Sequence, residues 1–331
     1  MVCLCGRVIS NNLPSLLTNN RLLPFSNWQR YPIEKLYDNI IAYGPFRRMV
    51  DSLRRETAQK AVEFYRSRFA GFPGGVSIPF WFNEDLIDIL ASEGVLSRVD
   101  RPLARDGHYR VTSLLIDAVV RLQAIPFQFP NAPSVPVREI RPNVLDIPFV
   151  LTESLRCFDK DLVQSAYYLS YKKSTVPQAS GSTQVPRESV YDTELIRILC
   201  NWLRKTDEWS VTTQWLPTMD KIGEFFNVVV LQKKGDNKPI ILDILATEDP
   251  KSLRVHIEKI PESMALVSAV EGWVIHFICA DHFTIPTWQT DAELNRGINV
   301  IHVSHNKDFT NVTFHVYSCS TTGQEKYDIC I

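Results

Sequence analysis

Residues 239–246 read Pro239-Ile-Ile-Leu-Asp-Ile-Leu-Ala246, an apolar run with a single carboxylate, Asp243, in its middle. A run of this length, rich in branched residues, predicts a strand buried on both faces. A carboxylate inside such a strand is costly unless it is paired, hydrogen-bonded or bound to a metal. Asp243 therefore needs a partner. An ordinary salt bridge or hydrogen bond would suffice, and so would a divalent cation, because Mg²⁺ sites take one or two protein carboxylates plus waters and phosphate oxygens.

Working outward from this strand, two further strand-type runs precede it at 209–216 and 225–233, the second joined to it by the hairpin signal Lys234-Gly-Asp-Asn-Lys238. A helix is expected from 249 to about 268, followed by strands at 272–280, 298–305 and 312–319. On that helix His256 and Lys259 are three apart and share a face, so both can turn toward Asp243. Upstream, 190–205 places Val190, Leu195, Ile198, Leu199, Trp202 and Leu203 on one helical stripe, and the same helix carries Glu194. The region is an α/β or α+β domain around a mixed sheet of about five or six strands.

The N-terminal half has another character. The chain has 331 residues and a formal charge of -1, but before residue 150 there are 18 basic and 14 acidic residues, against 18 and 23 after it. The global balance gives no argument for nucleic acid or membrane, so such a partner must be read from a local patch. Between 45 and 69, Arg47, Arg48, Arg54, Arg55, Lys60, Arg66 and Arg68 accompany apolar residues at helical spacing, which predicts an amphipathic helix with a basic outer face. That face is either ordinary solvated surface or a phosphate-contacting one. Asn83 precedes an acid-opened helix to about 93 as an N-cap candidate. A short strand at 108–111 and a helix at 114–123, capped by Thr112 or Ser113, make the region compatible with a winged-helix unit. Prolines between 126 and 142 argue against helix and central strand, and 174–189 has the Ser, Thr, Gly and Pro composition of a flexible linker.

Several chemistries lack their motifs. No G-x-x-x-x-G-K-[ST] loop and no G-x-S-x-G elbow occurs. His276 with Cys279, and His302 with His305, are three apart on expected strands and so point to opposite faces, which disfavours zinc. Seven cysteines, an odd number spread over a long chain, are read as mostly free thiols. No run approaches the roughly 18 apolar residues of a membrane span, and no targeting segment is visible.

Helix with an acid, strand, strand, strand with an acid, helix, strand is also the order of the PD-(D/E)XK, restriction-endonuclease-like core. Several phrases bring the match closer: Tyr191-Asp-Thr-Glu-Leu-Ile-Arg-Ile-Leu199 with Asn201-Trp-Leu-Arg204, Thr213-Gln-Trp215, Leu242-Asp-Ile-Leu-Ala-Thr247, His256-Ile-Glu-Lys259 and Gly272-Trp-Val-Ile-His-Phe277, and upstream Pro130-Asn-Ala-Pro-Ser134 and the segment 151–161. Together they resemble the C-terminal region of Crinkler-type effectors of fungi and oomycetes, over about residues 75–331, while Asn27-Trp-Gln-Arg30 and Gly44-Pro-Phe46 resemble the tail of the preceding NTPase part. The resemblance implies a mostly helical NTPase-tail and winged-helix-like region at 1–130, a Pro-rich connecting segment and linker at 131–189, and a nuclease-like domain at 190–331. No nucleotide-binding motif lies within this chain.

What the family implies for the site is Mg²⁺ held by Asp243 and Glu194 with help from Asn227, with Lys259 and His256 acting at the scissile phosphate. Arg47, Arg48, Arg54, Arg55, Lys60 and Gln214 would contact nucleic acid. It further implies secretion, entry into a host nucleus, and DNA or a host nuclear protein as partner. The sequence departs from the family pattern in Phe226-Asn227-Val228, where an acid commonly opens the second strand, and in Asp243 and Leu245, where Glu and Lys commonly stand on the third. Asn offers an oxygen without the charge that holds a divalent cation. The expectation is a nuclease-like domain acting on DNA with impaired catalysis; the alternative is a non-catalytic module that binds nucleic acid or protein.

Overall fold

The computed structural model describes residues 40–72, 75–79, 83–99, 107–141, 144–169, 171–173, 184–206, 208–215, 226–232, 239–247, 249–279, 298–317 and 324–330. Helix α1 (Gly44–Leu53) and helix α2 (Gln59–Arg68) replace the single expected helix. The break is a 3₁₀ turn, Glu56–Ala58, entered through Arg55 in extended conformation. Two short helices let Leu53, Ala61, Val62 and Tyr65 reach one core that a single straight stripe would not. Strand β1 (Val76–Ile78), helix α3 (Glu84–Ser92), strand β2 (Leu96–Arg98) and strand β3 (Gly107–Val111) follow, forming a small sheet in the order β1-β3-β2. Asn83 stands at the N-cap position but in the left-handed region, with no side-chain cap bond.

Ser113 does cap helix α4 (Leu114–Val119), accepting from the Ile116 amide at 3.2 Å. The helical path then continues through a widened π-type turn, Val120–Ala124, into helix α5 (Ile125–Gln128), past the expected stop. Pro126 falls in the first turn of the new segment, and the Leu122 carbonyl that its missing N–H cannot serve accepts instead from Arg204 Nη1 at 2.9 Å. Strands β4 (Glu139–Arg141) and β5 (Val144–Leu145) form a small pair. Helices α6 (Ile147–Leu155) and α7 (Lys160–Leu169) bury Val150, Leu151, Leu155 and Val163 in the same core as the C-terminal sheet. The stretch 131–189 is thus partly core-forming rather than only connecting.

Strand β6 (Tyr171–Lys173) pairs with β7 (Gln184–Pro186), and helix α8 (Glu188–Leu203) opens the C-terminal unit. Strands β8 (Trp209–Trp215), β9 (Phe226–Gln232) and β10 (Pro239–Ala246) run antiparallel in sequence order. Helix α9 (Pro250–Val267) crosses to β11 (Glu271–Cys279), which lies parallel to β10. Strand β12 (Ile298–His305) is parallel to β11, and β13 (Asn311–Tyr317) and β14 (Gln324–Cys330) are antiparallel additions. The sheet has seven strands, β14-β13-β12-β11-β10-β9-β8, one or two more than expected. The chain is mixed α/β, as its pattern implies.

Two layers cover this sheet. On one face Leu242, Ile244, Trp273, Ile275 and Phe277 pack under α8, with Tyr191 stacked on Phe277 at 4.1 Å. On the other, Ile241, Leu245, Val274 and Val300 pack under Leu253, Ile257 and Ile260 of α9. Helix α9 is fixed at its start by Asp249, which accepts from the Lys251 and Ser252 amides. It approaches β11 closely at Gly272, where a Cβ would clash with Ile260 and come within 2.8 Å of Met264 Sδ. Among the described residues no helix is long and apolar enough to cross a membrane.

Candidate functional site

Strand alternation decides which acids meet. Asp243 lies between Leu242 and Ile244 of the α8 face and shares the α9 face with Ile241 and Leu245. Helix α9 then delivers His256, whose Nδ1 lies 2.7 Å from Asp243 Oδ2. A carboxylate only accepts here, so Nδ1 carries the proton and Nε2 is the ring's lone-pair nitrogen whenever the imidazole is neutral. The His256 side chain is 33% exposed against 10% for Asp243, so the pair is anchored inside and open outside. Burial alone would pull the imidazole pKa down. The hydrogen bond to Asp243 and the charges of Asp243 and Glu188 outweigh burial and the opposing Lys259, lifting it above its ordinary value.

Glu188, at the start of α8, reaches the C-terminal end of β10 and accepts from the Ala246 amide at 3.4 Å. Lys259 is exposed one turn along α9, within electrostatic reach of His256. His276 of β11 shares the Asp243 face and holds the Thr247 carbonyl with Nε2 at 2.7 Å. A carbonyl cannot donate, so His276 is protonated on Nε2 and accepts on Nδ1, where His302 Nδ1 approaches at 2.9 Å as donor. Burial keeps both rings neutral: His276 is lowered to about 4, with the Thr247 bond opposing, and His302 to about 3, with His276 and His315 adding to the effect. The two His pairs three apart do point to opposite faces. His305 bonds Tyr191 on the α8 side at 2.7 Å, and Cys279 packs there too.

Glu194 is not brought to Asp243. It lies on α8, across the sheet, wholly buried, and is enclosed by cations. Arg66 Nε donates to its Oε1 at 3.0 Å, Arg66 Nη2 contacts the same oxygen, and Arg197 Nη2 reaches Oε2 at 2.9 Å. The Asp159 amide adds a bond at 2.9 Å. Arg66 also pairs with Asp159 and stacks on Phe129, and Arg197 donates to the carbonyls of Phe129, Asn131 and Cys157. Arg66, expected on the solvated basic face, thus points inward because Glu194 needs a counter-charge. A second buried group joins Arg121 to Asp117 and Asp192, with Tyr65 donating to Asp117. Burial raises Asp192 to about 7 against the pull of Arg121.

The remaining expected contacts are scattered. Arg47, Arg48, Arg55 and Lys60 are exposed on α1, α2 and the turn between them. Arg54 is half-buried, donating to Gln123 Oε1 at 2.9 Å and lying over Phe127. Asp51, Glu56 and Glu63 are exposed on the same surface, and Arg47 pairs loosely with Asp51 at 3.9 Å, so this face is mixed in charge rather than uniformly basic. Asn227 and Gln214 occupy β9 and β8, and their side chains lie outside the described residues. The register pairs Leu242 with Val228, so position 227 follows on the next step, beside Asp243. The Lys234–Lys238 hairpin and the linker core at 174–183 also lie outside them.

This donor set does not fit the Mg²⁺ centre that the family resemblance implies. Glu194 is consumed elsewhere, position 227 is an amide residue, and the partner that Asp243 has acquired is an imidazole N–H, which competes with a cation for the same oxygen. Among the described residues no three His, Cys, Asp or Glu side chains are grouped to hold a metal ion. Sequence reasoning missed Glu188, whose approach to β10 has no local signal, and the His276–His302 pair, which only the β11–β12 register creates. Compared with known proteins, the chain matches no family model, no curated protein and no solved structure.

Proposed function

We propose that this chain is a nucleic-acid-binding module on a nuclease-like frame, the C-terminal part of a Crinkler-like effector, whose centre does not perform the Mg²⁺-dependent hydrolysis of PD-(D/E)XK enzymes. The observation that carries the reading is the Asp243–His256 hydrogen bond: the one acid retained on the third strand is committed to an imidazole. The order α8-β8-β9-β10-α9-β11, with three antiparallel strands and a parallel fourth, supports the frame. For the N-terminal unit, helix, strand, helix and hairpin with sheet order β1-β3-β2 support a winged-helix-like reading. Groove contact by α3 is disfavoured, because its exposed charged residues, Glu84, Asp85 and Asp88, are all acidic and would repel phosphate. DNA in a host nucleus, reached by secretion, is the partner and place the resemblance supplies.

The test is supercoiled plasmid titrated with Mg²⁺ or Mn²⁺ against the chain, Asp243→Ala and Asn227→Asp. Retardation without nicking by the unaltered chain is expected. Metal-dependent nicking that Asp243→Ala abolishes would overturn the reading and establish a working metal site.

A further inference from the structure

The residues around Asp243 do not fit a Mg²⁺ centre, and hydrolysis of DNA would need an external water as nucleophile, positioned and deprotonated by a base. RNA differs, because each phosphodiester has its own nucleophile, the neighbouring 2′-hydroxyl, and needs only a base to deprotonate it and a cation beside the phosphorus. The Asp243 centre has those two parts. His256, one-third exposed, has its Nδ1–H fixed on Asp243, which leaves Nε2 as the lone-pair nitrogen, the arrangement that orients an imidazole as a proton acceptor and steadies the imidazolium it becomes. Among the described residues Nδ1 is its only ring nitrogen with a hydrogen-bond partner. Lys259 lies on the same face of α9 and is exposed. The charged and titratable groups around the ring are Asp243 from β10, Glu188 from α8, Lys259 from α9 itself and His276 from β11, the last held neutral by burial.

We propose that His256 and Lys259 cleave single-stranded RNA without a metal, by transesterification, with Asp243 as the positioning residue. The inference rests on the reading that this centre meets a nucleic-acid backbone. His256 Nε2 takes the proton of the 2′-hydroxyl, and the 2′-oxygen bonds to phosphorus as the P–O5′ bond breaks. The O5′ leaves with its electron pair and takes a proton from water, while His256 returns its own to solvent. The products are a 2′,3′-cyclic phosphate and a 5′-hydroxyl, with no oxidant, reductant or net water consumed. Lys259 offsets the charge that gathers on the non-bridging oxygens.

The experiment uses the full chain, a labelled single-stranded RNA of mixed sequence and its all-2′-deoxy counterpart, both in excess EDTA, with cleavage and retardation read on the same samples. EDTA-resistant cleavage of the RNA alone, leaving cyclic-phosphate ends, is expected. His256→Ala should lower the rate by about 100-fold or more, and Lys259→Ala, at an exposed position, should lower it with retardation retained. Asp243→Asn keeps an acceptor for Nδ1–H but removes the charge, so the acid limb of the pH–rate profile should move to lower pH. RNA retarded but uncut, or cut as well after either His256→Ala or Lys259→Ala, would overturn the proposal and leave the binding reading standing. Failure to retard either strand would sink both.

Discussion

Two buried carboxylates, Glu194 and Asp243, sit on opposite faces of one sheet and have met opposite fates. Glu194 is fully enclosed and receives two guanidinium groups and a backbone amide, so every lone pair is occupied. Among the described residues Asp243 has one side-chain partner, His256, which is itself partly open to solvent. A saturated charge knot joins Pro130-side loop carbonyls, α2 and α8 into one body and has nothing left to offer a ligand. A carboxylate at a half-open edge can still tune a neighbour. The lesson is that burial of an acid does not by itself mark chemistry; unspent capacity beside solvent does.

The largest loss of stability is expected from Glu194→Ala. It leaves Arg66 and Arg197 buried without their shared counter-charge, and should lower stability by about 3–5 kcal/mol in urea unfolding. Asp243→Ala should cost clearly less; equal losses would erase the distinction between knot and open edge.

Acid provides a second test. His276, His302 and His305 are held neutral by burial, which lowers their folded pKa values to about 4, 3 and 4, below the unfolded one. Their stabilisation is present above about pH 6.5 and is lost as pH falls toward those values, about 2 kcal/mol each by pH 5. Asp192, raised to about 7, acts in the other direction, losing stability as pH climbs from the ordinary carboxyl range to neutrality. The urea midpoint should therefore fall between pH 7.5 and 5, and fall more steeply in Asp192→Asn. A midpoint that rises on acidification would contradict the buried, neutral histidines.

The smallest effect belongs to the helix that delivers His256. Gly272→Ala pushes a methyl into Ile260 and Met264 and should cost about 1–3 kcal/mol as α9 shifts. If α9 sets the Asp243–His256 distance, the His256 pKa followed by NMR should drop toward its ordinary value in this variant while the Glu194 knot stays intact.

Much of this molecule could be read from its residues. The run Pro239–Ala246, the stripe on 190–205 and the helix carrying His256 and Lys259 each have a local period, and each formed the expected element. The mixed α/β class follows from their order. The need of Asp243 for a partner was also local, since any carboxylate in such a run must be compensated. Which partner it received was not. That choice came from strand alternation combined with the crossing of α9, which put Glu194 behind the sheet and His256 in front. The helix broken at 55–58, the inward turn of Arg66 and the helical passage through Pro126 depend in the same way on partners tens of residues away. Composition and periodicity determine the elements because those are properties of neighbours in the chain. Only the tertiary structure could decide which charges meet, because the cost of burying each one is settled by residues that adjoin it in space.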